Sequence, residues 1–300
     1  MADTTRALAQ RRSRTMGVRN RRRASLALKL AIMAAALVFA LFPVLYVISA
    51  ALNPANTLVG LGLFPARATL DNFVGLFNTP LQPWPKWILN SVLVAGTTAV
   101  IVTALTALAA YSFSRLRFRG RRAGLLALVT VQLFPNMLAI VALFLLLQAI
   151  GSVVPPLGLN SLGGLILIYS GGALGFNTWL MKGYFDTVPY DLDESALVDG
   201  ATPFQAFRHV ILPLVRPILA VIGILAFIGA YSDFLLARVV LSSTDNYTLA
   251  VGMTLFLREY NLQWGTFAAA ALIGALPIVV VFLVLQRQLI GGLAQGGVKG

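Results

Sequence analysis

Residues 123–181 read AGLLALVTVQLFPNMLAIVALFLLLQAIGSVVPPLGLNSLGGLILIYSGGALGFNTWLM, and they contain no Asp, Glu, Lys or Arg. A water-soluble domain carries about a quarter charged residues; a charge-free stretch this long belongs where the surroundings are apolar. Its centre, Gly151–Ser161 (GSVVPPLGLNS), holds two prolines and two glycines and is expected to be a turn. That leaves two apolar runs, Ala123–Ile150 and Leu162–Met181, each able to span a hydrocarbon core, which takes roughly 20 helical residues.

Further apolar runs lie on either side, at Leu30–Ala51, Trp87–Ser114, Pro213–Phe234 and Gly265–Gln286. The predicted fold is therefore all-α, a polytopic membrane protein with six transmembrane helices over residues 30–290. The composition agrees: 58% hydrophobic, 11% charged and mean hydropathy +0.84 over 300 residues. The first run is too long for the apolar part of a signal peptide, about 7–15 residues, so an uncleaved first helix is expected. Pro43, Pro135, Pro217 and Pro277 mark possible kinks.

A net charge of +13 could indicate nucleic acid, but position argues otherwise. With six spans, nineteen basic residues fall on the side of the termini and four, Arg67, Lys86, Arg238 and Arg258, on the other. Lys and Arg collect in cytoplasmic loops, so both termini are expected in the cytoplasm and no nucleic acid is expected as a partner. Residues 1–29 form a basic cytoplasmic tail, expected to be largely disordered and able to touch anionic membrane lipid. Residues 291–300 are expected to be a flexible cytoplasmic tail.

Several chemistries are absent. Without cysteine there is no disulfide framework and no thiolate site, and a single histidine, His209, cannot build a His-rich metal site. No catalytic residue, metal or cofactor is expected. None of the four lysines is followed by Ser or Thr, so there is no phosphate-binding loop for ATP. The spans carry no charge network of the kind that marks ion paths; Asp233 is placed at the watered outer end of the fifth span.

One segment has a different character. Between the fourth and fifth spans, DTVPYDLDESALVDGATPFQAFRHVILPLVRP carries half of the acids in the chain: Asp186, Asp191, Asp193, Glu194 and Asp199. Two short helices are predicted. Asp191 with Glu194 forms a capping box for the first, and Gly200 is its left-handed stop. Thr202 with Gln205 forms the second box, with Pro203 at the first helical position. Phe204, Phe207, Val210 and Ile211 then make one apolar face, and Pro213 ends the helix. Amphipathic helices serve both partner grooves and membrane surfaces. Five acids sit poorly beside an anionic leaflet, which favours a protein partner.

Glu194-Ser195-Ala196, Gly200, and Val210-x-Leu212-Pro213 keep the spacing of the EAA loop, E-A-A, three residues, Gly, nine residues, I-x-L-P. In this the chain resembles the permeases of binding-protein-dependent ABC importers. Ser195 for Ala and Val210 for Ile are mild departures. Asn246–Met253, Trp264-Gly265, Phe267–Ala271, Ala275–Ile278 and Gly296–Gly300 resemble the carbohydrate, MalG-like branch, from about residue 85 onward.

That resemblance implies a transmembrane subunit for maltose, maltodextrin or a similar sugar in the bacterial inner membrane. Implied partners are a second permease of MalF type, two copies of a cytosolic ABC ATPase and an extracytoplasmic sugar-binding protein. The ATPase-coupling loop would be residues 187–213, with Glu194, Ala196, Asp199, Gly200, Phe204, Phe207, Leu212 and Pro213. Arg258, Tyr260 and Trp264 of the outer loop 237–264 would meet the binding protein. Substrate residues are not fixed; Tyr46, Gln132, Asn136, Tyr231 and Ser232 are inner polar and aromatic candidates. An ion-coupled secondary transporter working without an ATPase is the alternative.

Overall fold

The computed structural model describes residues 2–65, 67–78, 82–258 and 261–296. In chain order its helices are α1 (Ala2–Ala51), α2 (Asp71–Asn78), α3 (Trp84–Arg115), α4 (Arg121–Val131), α5 (Asn136–Val153) and α6 (Leu162–Phe185). There follow α7 (Asp191–Val198), α8 (Pro203–Ala206), α9 (Leu212–Leu214), α10 (Arg216–Ser232), α11 (Leu235–Val240), α12 (Leu249–Met253) and α13 (Trp264–Gly296). Extended structure among the described residues is one ladder, β1 (Leu257–Arg258) antiparallel to β2 (Asn261–Leu262). The all-α expectation holds apart from that pair.

Among the described residues, four helices are long and apolar enough to cross a membrane: Ser25–Ala51, Trp84–Arg115, Leu162–Phe185 and Trp264–Gln288. A fifth is made if Pro203–Leu214 and Arg216–Ser232 count as one span, bent by 79°. The predicted continuous helix Ala123–Ile150 is broken instead into α4 and α5. Pro135 lacks an N–H, and its ring disfavours helical backbone at Phe134, so the chain turns over 132–135 and restarts.

The ends also differ from expectation. The basic segment expected to be disordered is helical from Ala2, because Ala and Arg are strong helix formers and Gly17 is its sole glycine. The last helix outruns Gln286 by ten residues to Gly296, covering part of the tail expected to be flexible. Extending an existing helix adds one hydrogen bond per residue and avoids the cost of nucleation; residues 297–300 lie outside the described structure. The loop 237–264 holds the end of α11, all of α12 and the β1–β2 ladder.

The core is α3 packed along α6 and α10, with α1 lying along α13. Two apolar clusters divide it. The first centres on Trp84, Trp87, Leu165, Tyr231, Leu249 and Phe256. There Trp87 Nε1 donates to Thr244 O (2.8 Å), Asn90 Nδ2 donates to the carbonyls of Asp245 and Tyr247, and Leu249 N donates to Ser91 Oγ. Segment 244–253 is thus stitched over the start of α3. The second cluster joins Met181, Phe185, Val188, Phe207, Ile211 and Val215 to α3 at Val102, Ala107 and Ala110. It carries the candidate site.

Candidate functional site

The end of the bundle that holds the second cluster is a helix–Gly–helix on a polar anchor. α7 ends as a Schellman turn: Ala201 N donates to Ala196 O (2.9 Å), Gly200 N donates to Leu197 O (3.1 Å), and Gly200 takes φ +87°. Gly200 is thus the left-handed stop expected of it, and Ala196 and Asp199 belong to the same turn. The second box is present too, with Thr202 N donating to Gln205 Oε1 (2.7 Å) and Gln205 N donating to Thr202 Oγ1 (3.3 Å).

The first box is not. Tyr190, ahead of α7, is already helical at φ −65°, ψ −29°, and no side chain caps it. Its carbonyl accepts from Asp193 N and Glu194 N, so the turn starts earlier, at Pro189. Asp191, Asp193 and Glu194 occupy the first turn, where carboxylates offset the positive end of the helix dipole.

Pro213 does not end the second helix. After α8 the chain makes a wide π turn over Phe207–Ile211, with Leu212 N reaching back to Phe207 O. The turn accommodates Pro213, which cannot donate to His209 O. The 79° bend comes at Val215, ahead of Pro217. Leu212 and Pro213 are half-buried beside it.

Phe207 and Phe204 part company. Phe207 is 6% exposed, its ring 4.8 Å from that of Tyr111, so it anchors the loop to the bundle and cannot serve as a free contact for a partner. Phe204 is 60% exposed and Val198 87%, with Leu197, Glu194 and Asp199 exposed nearby. An apolar ridge edged by carboxylates therefore flanks the Gly200 turn. Val198 was not singled out from the sequence, although an apolar pair before a helix-stopping glycine is a signal for it.

The anchor centres on Arg115, the last residue of α3. Its Nε donates to Asp193 Oδ2 (2.7 Å) and its Nη2 to Val188 O (2.8 Å), and its guanidinium lies 4.2 Å from the Tyr190 ring centroid. The Arg115 and Asp193 side chains are 4% and 11% exposed. Tyr190 Oη and Arg121 Nη2 both donate to Ser114 O, and Ser114 Oγ donates to Asp186 Oδ1 (2.7 Å). Lys182 pairs with the other Asp186 oxygen. Burial pushes the Asp186 carboxyl up, but the Lys182 and Ser114 hydrogen bonds and the charges of Lys182 and Arg121 outweigh it and hold it below its ordinary value. From sequence, Arg115 is one of a run of five arginines between residues 115 and 122, and nothing local distinguishes it.

The remaining candidates scatter. Trp264 starts α13 with its ring edge-on to Phe267 at 6.2 Å. Arg258 pairs through its backbone with Asn261; its side chain, and all of Tyr260, lie outside the described structure. Tyr231 Oη donates to Gly274 O (2.7 Å), a packing contact, and Gln132 Nε2 donates to Gly172 O (2.7 Å). Tyr46 is half-buried, Ser232 is exposed, and the Asn136 side chain lies outside the described structure. Asp233 is not simply hydrated at a helix end: it is half-buried and accepts from Tyr169 Oη (2.7 Å).

The profile of the family described as binding-protein-dependent transport system inner membrane component matches residues 103–293. The chain is 45% identical over 271 residues to the maltose/maltodextrin transport system permease protein MalG of Vibrio vulnificus, covering 87% of this chain and 91% of that protein. Identity to the protein of the same name from Escherichia coli K12 is 43% over the same shares. Among solved structures, a bacterial ABC transporter involved in the import of the acidic polysaccharide alginate superposes with TM-score 0.74 at 22% identity, over 88% of this chain and 96% of that one. A complex of the alginate transporter with its pentasaccharide-bound periplasmic protein gives TM-score 0.61 at 19% identity, over 87% and 92%. These two likenesses concern the fold. None of the likenesses supports an ion-coupled carrier.

Proposed function

This chain belongs to the binding-protein-dependent transport system inner membrane components, and on that premise we propose that it forms one half of the translocation pathway of an ATP-driven importer of maltose, maltodextrin or a similar oligosaccharide. It is a multi-pass inner-membrane subunit that does not itself hydrolyse ATP. In this reading the six spans are Ser25–Ala51, α3, the broken pair α4–α5, α6, the bent unit α8–α10 and α13. Both termini are cytoplasmic, which accounts for the nineteen-to-four division of basic residues.

The observation that carries the proposal is the anchored loop. A coupling element must move as one piece with the helices it drives. Here α7 is tied to α3 by a nearly buried ion pair and by the Tyr190 hydroxyl on Ser114 O, the Ser114–Asp186 bond ties that end of α3 to α6, and Phe207 roots the second helix in the second cluster. The ridge of Val198 and Phe204 with Glu194 and Asp199 suits a groove on a cytosolic ATPase, present in two copies. A second permease of MalF type completes the pore. An extracytoplasmic sugar-binding protein delivers the cargo to the outer loop near Arg258, Tyr260 and Trp264.

Reconstitution of the chain with these partners in proteoliposomes tests it. ATP-dependent maltose uptake that needs the binding protein is expected. Uptake driven by a sodium or proton gradient without ATP would overturn it. A reporter active only outside the cytoplasm should be silent after Lys299 and active at Asp245; the reverse pattern would overturn the orientation.

A further inference from the structure

Asp233 stands where α10 gives way to α11, against the first half of α6. Its partner Tyr169 lies seven residues into α6, about 10 Å along the axis from Leu162 at 1.5 Å per residue. Carboxylates at such depth are costly and need a reason. Three donors converge on one oxygen: Tyr169 Oη (2.7 Å), Leu236 N and Ala237 N (3.1 Å each) all reach Asp233 Oδ1. Oδ2 has no hydrogen bond among the described residues. The side chain is thus fixed by one oxygen and presents the other.

Asp233 and Tyr169 line a cleft of about 780 Å³ between the α4–α5 break, α6 and α10, together with Thr130, Phe134, Gly172 and Gly229. Its volume falls in the small-ligand range of about 300–1,000 Å³. A Cβ built at Gly172 or Gly229 meets nothing within 4 Å, so packing does not demand glycine there, and the missing side chains leave the cleft wide. Phe134, put on the wall by the break before Pro135, is 56% exposed.

An anionic acceptor and an exposed aromatic ring on one wall match a neutral polyol. Hydroxyls donate to the carboxylate in charge-assisted bonds, and the apolar face of a pyranose lies on the ring. A metal cation fits less well, since it takes several oxygen ligands; Gly172 O is already bonded to Gln132, and no second carboxylate among the described residues lines the cleft. We propose that Asp233 Oδ2 and the Phe134 ring form a carbohydrate-binding station on the pathway wall, with Tyr169 as the positioning residue. The proposal rests on the carbohydrate-importer reading above.

The test uses the complete importer in proteoliposomes, with radiolabelled maltose and simultaneous ATP measurement. Asp233→Asn should lower the sugar moved per ATP hydrolysed by about tenfold or more, the loss expected for a hydrogen bond to a charged group, and Phe134→Ala should lower it by about two- to tenfold, the loss expected for an aromatic stacking contact. Tyr169→Phe, which leaves the backbone donors to Oδ1 in place, should fall between them and the parent. In a Phe134→Trp complex, maltose should shift the indole emission, and adding Asp233→Asn should move the titration to about tenfold higher sugar. A parent complex that moves no maltose would overturn the importer reading itself. If the parent transports and Phe134→Ala and Tyr169→Phe match it in sugar per ATP, the station is overturned, whether or not Asp233→Asn assembles. A sodium or proton dependence of uptake that vanishes with Asp233→Asn would overturn it in favour of a cation site.

Discussion

Replacing Arg115 with Ala should release the coupling loop without disturbing any spanning helix. The guanidinium supplies bonds to Asp193 and Val188 and covers the Tyr190 ring. Its loss strands a carboxylate that is 11% exposed and whose second oxygen, Oδ1, already has no partner among the described residues. Removing one member of a buried pair costs about 3–5 kcal/mol, most of it the unpaired charge. At about 1.4 kcal/mol per decade, local opening of residues 188–200 should become two to three and a half orders of magnitude more frequent. Hydrogen exchange of the detergent-solubilised importer reads this directly, at the Asp193 and Glu194 amides that now bond to Tyr190 O. Maltose-stimulated ATP hydrolysis should fall in parallel while membrane insertion is unchanged. The double variant Arg115→Met/Asp193→Leu leaves no buried charge unpaired and should recover much of the protection. Exchange and coupling at parent levels in Arg115→Ala would refute the view that this pair holds the loop.

Gly200→Val should still insert but should reduce co-purification of the ATPase. A Cβ there meets nothing within 4 Å, so the cost is backbone strain at φ +87°, about 1–3 kcal/mol, and normal assembly with normal transport would remove the loop from the coupling role. Gly252→Ala should lower thermal stability in detergent, because its Cβ would come within 2.2 Å of the buried Trp87 ring; overpacking of this kind costs about 1–3 kcal/mol, and an unchanged melting temperature would count against the 244–253 cap. For Asp186, whose carboxyl is held below its ordinary value, the stabilisation is fully present above pH of about 4 and is lost as pH falls through the lower folded value. The deficit of Asp186→Asn relative to the parent should therefore be constant from pH 7 to about 4 and shrink below that; a deficit unchanged down to pH 2 would contradict the assignment.

Much of this molecule is decided by residues close together in the chain. The apolar runs set the spans because burying helical backbone in lipid depends on length and charge alone. Gly200 and the Thr202–Gln205 box were legible because a helix stop and a helix start are settled within about five residues. The prolines marked where helices could fail, but Pro135 broke one, Pro213 was taken up by a π turn, and the bend fell at Val215. Local sequence does not rank these outcomes, since each depends on what packs against the freed carbonyls. The α7 start moved for a similar reason: Tyr190 is drawn into helical backbone while its hydroxyl bonds Ser114 O, 76 residues earlier. Arg115 and Asp193 are 78 residues apart, and Tyr169 and Asp233 are 64 apart. Neither pairing leaves a periodic or spaced mark in the sequence. Whether Phe207 faces a partner or the core, and whether Asp233 meets water or Tyr169, is fixed only when α3, α6 and α10 come together, because burial is a property of the neighbours a side chain acquires and not of the side chain itself.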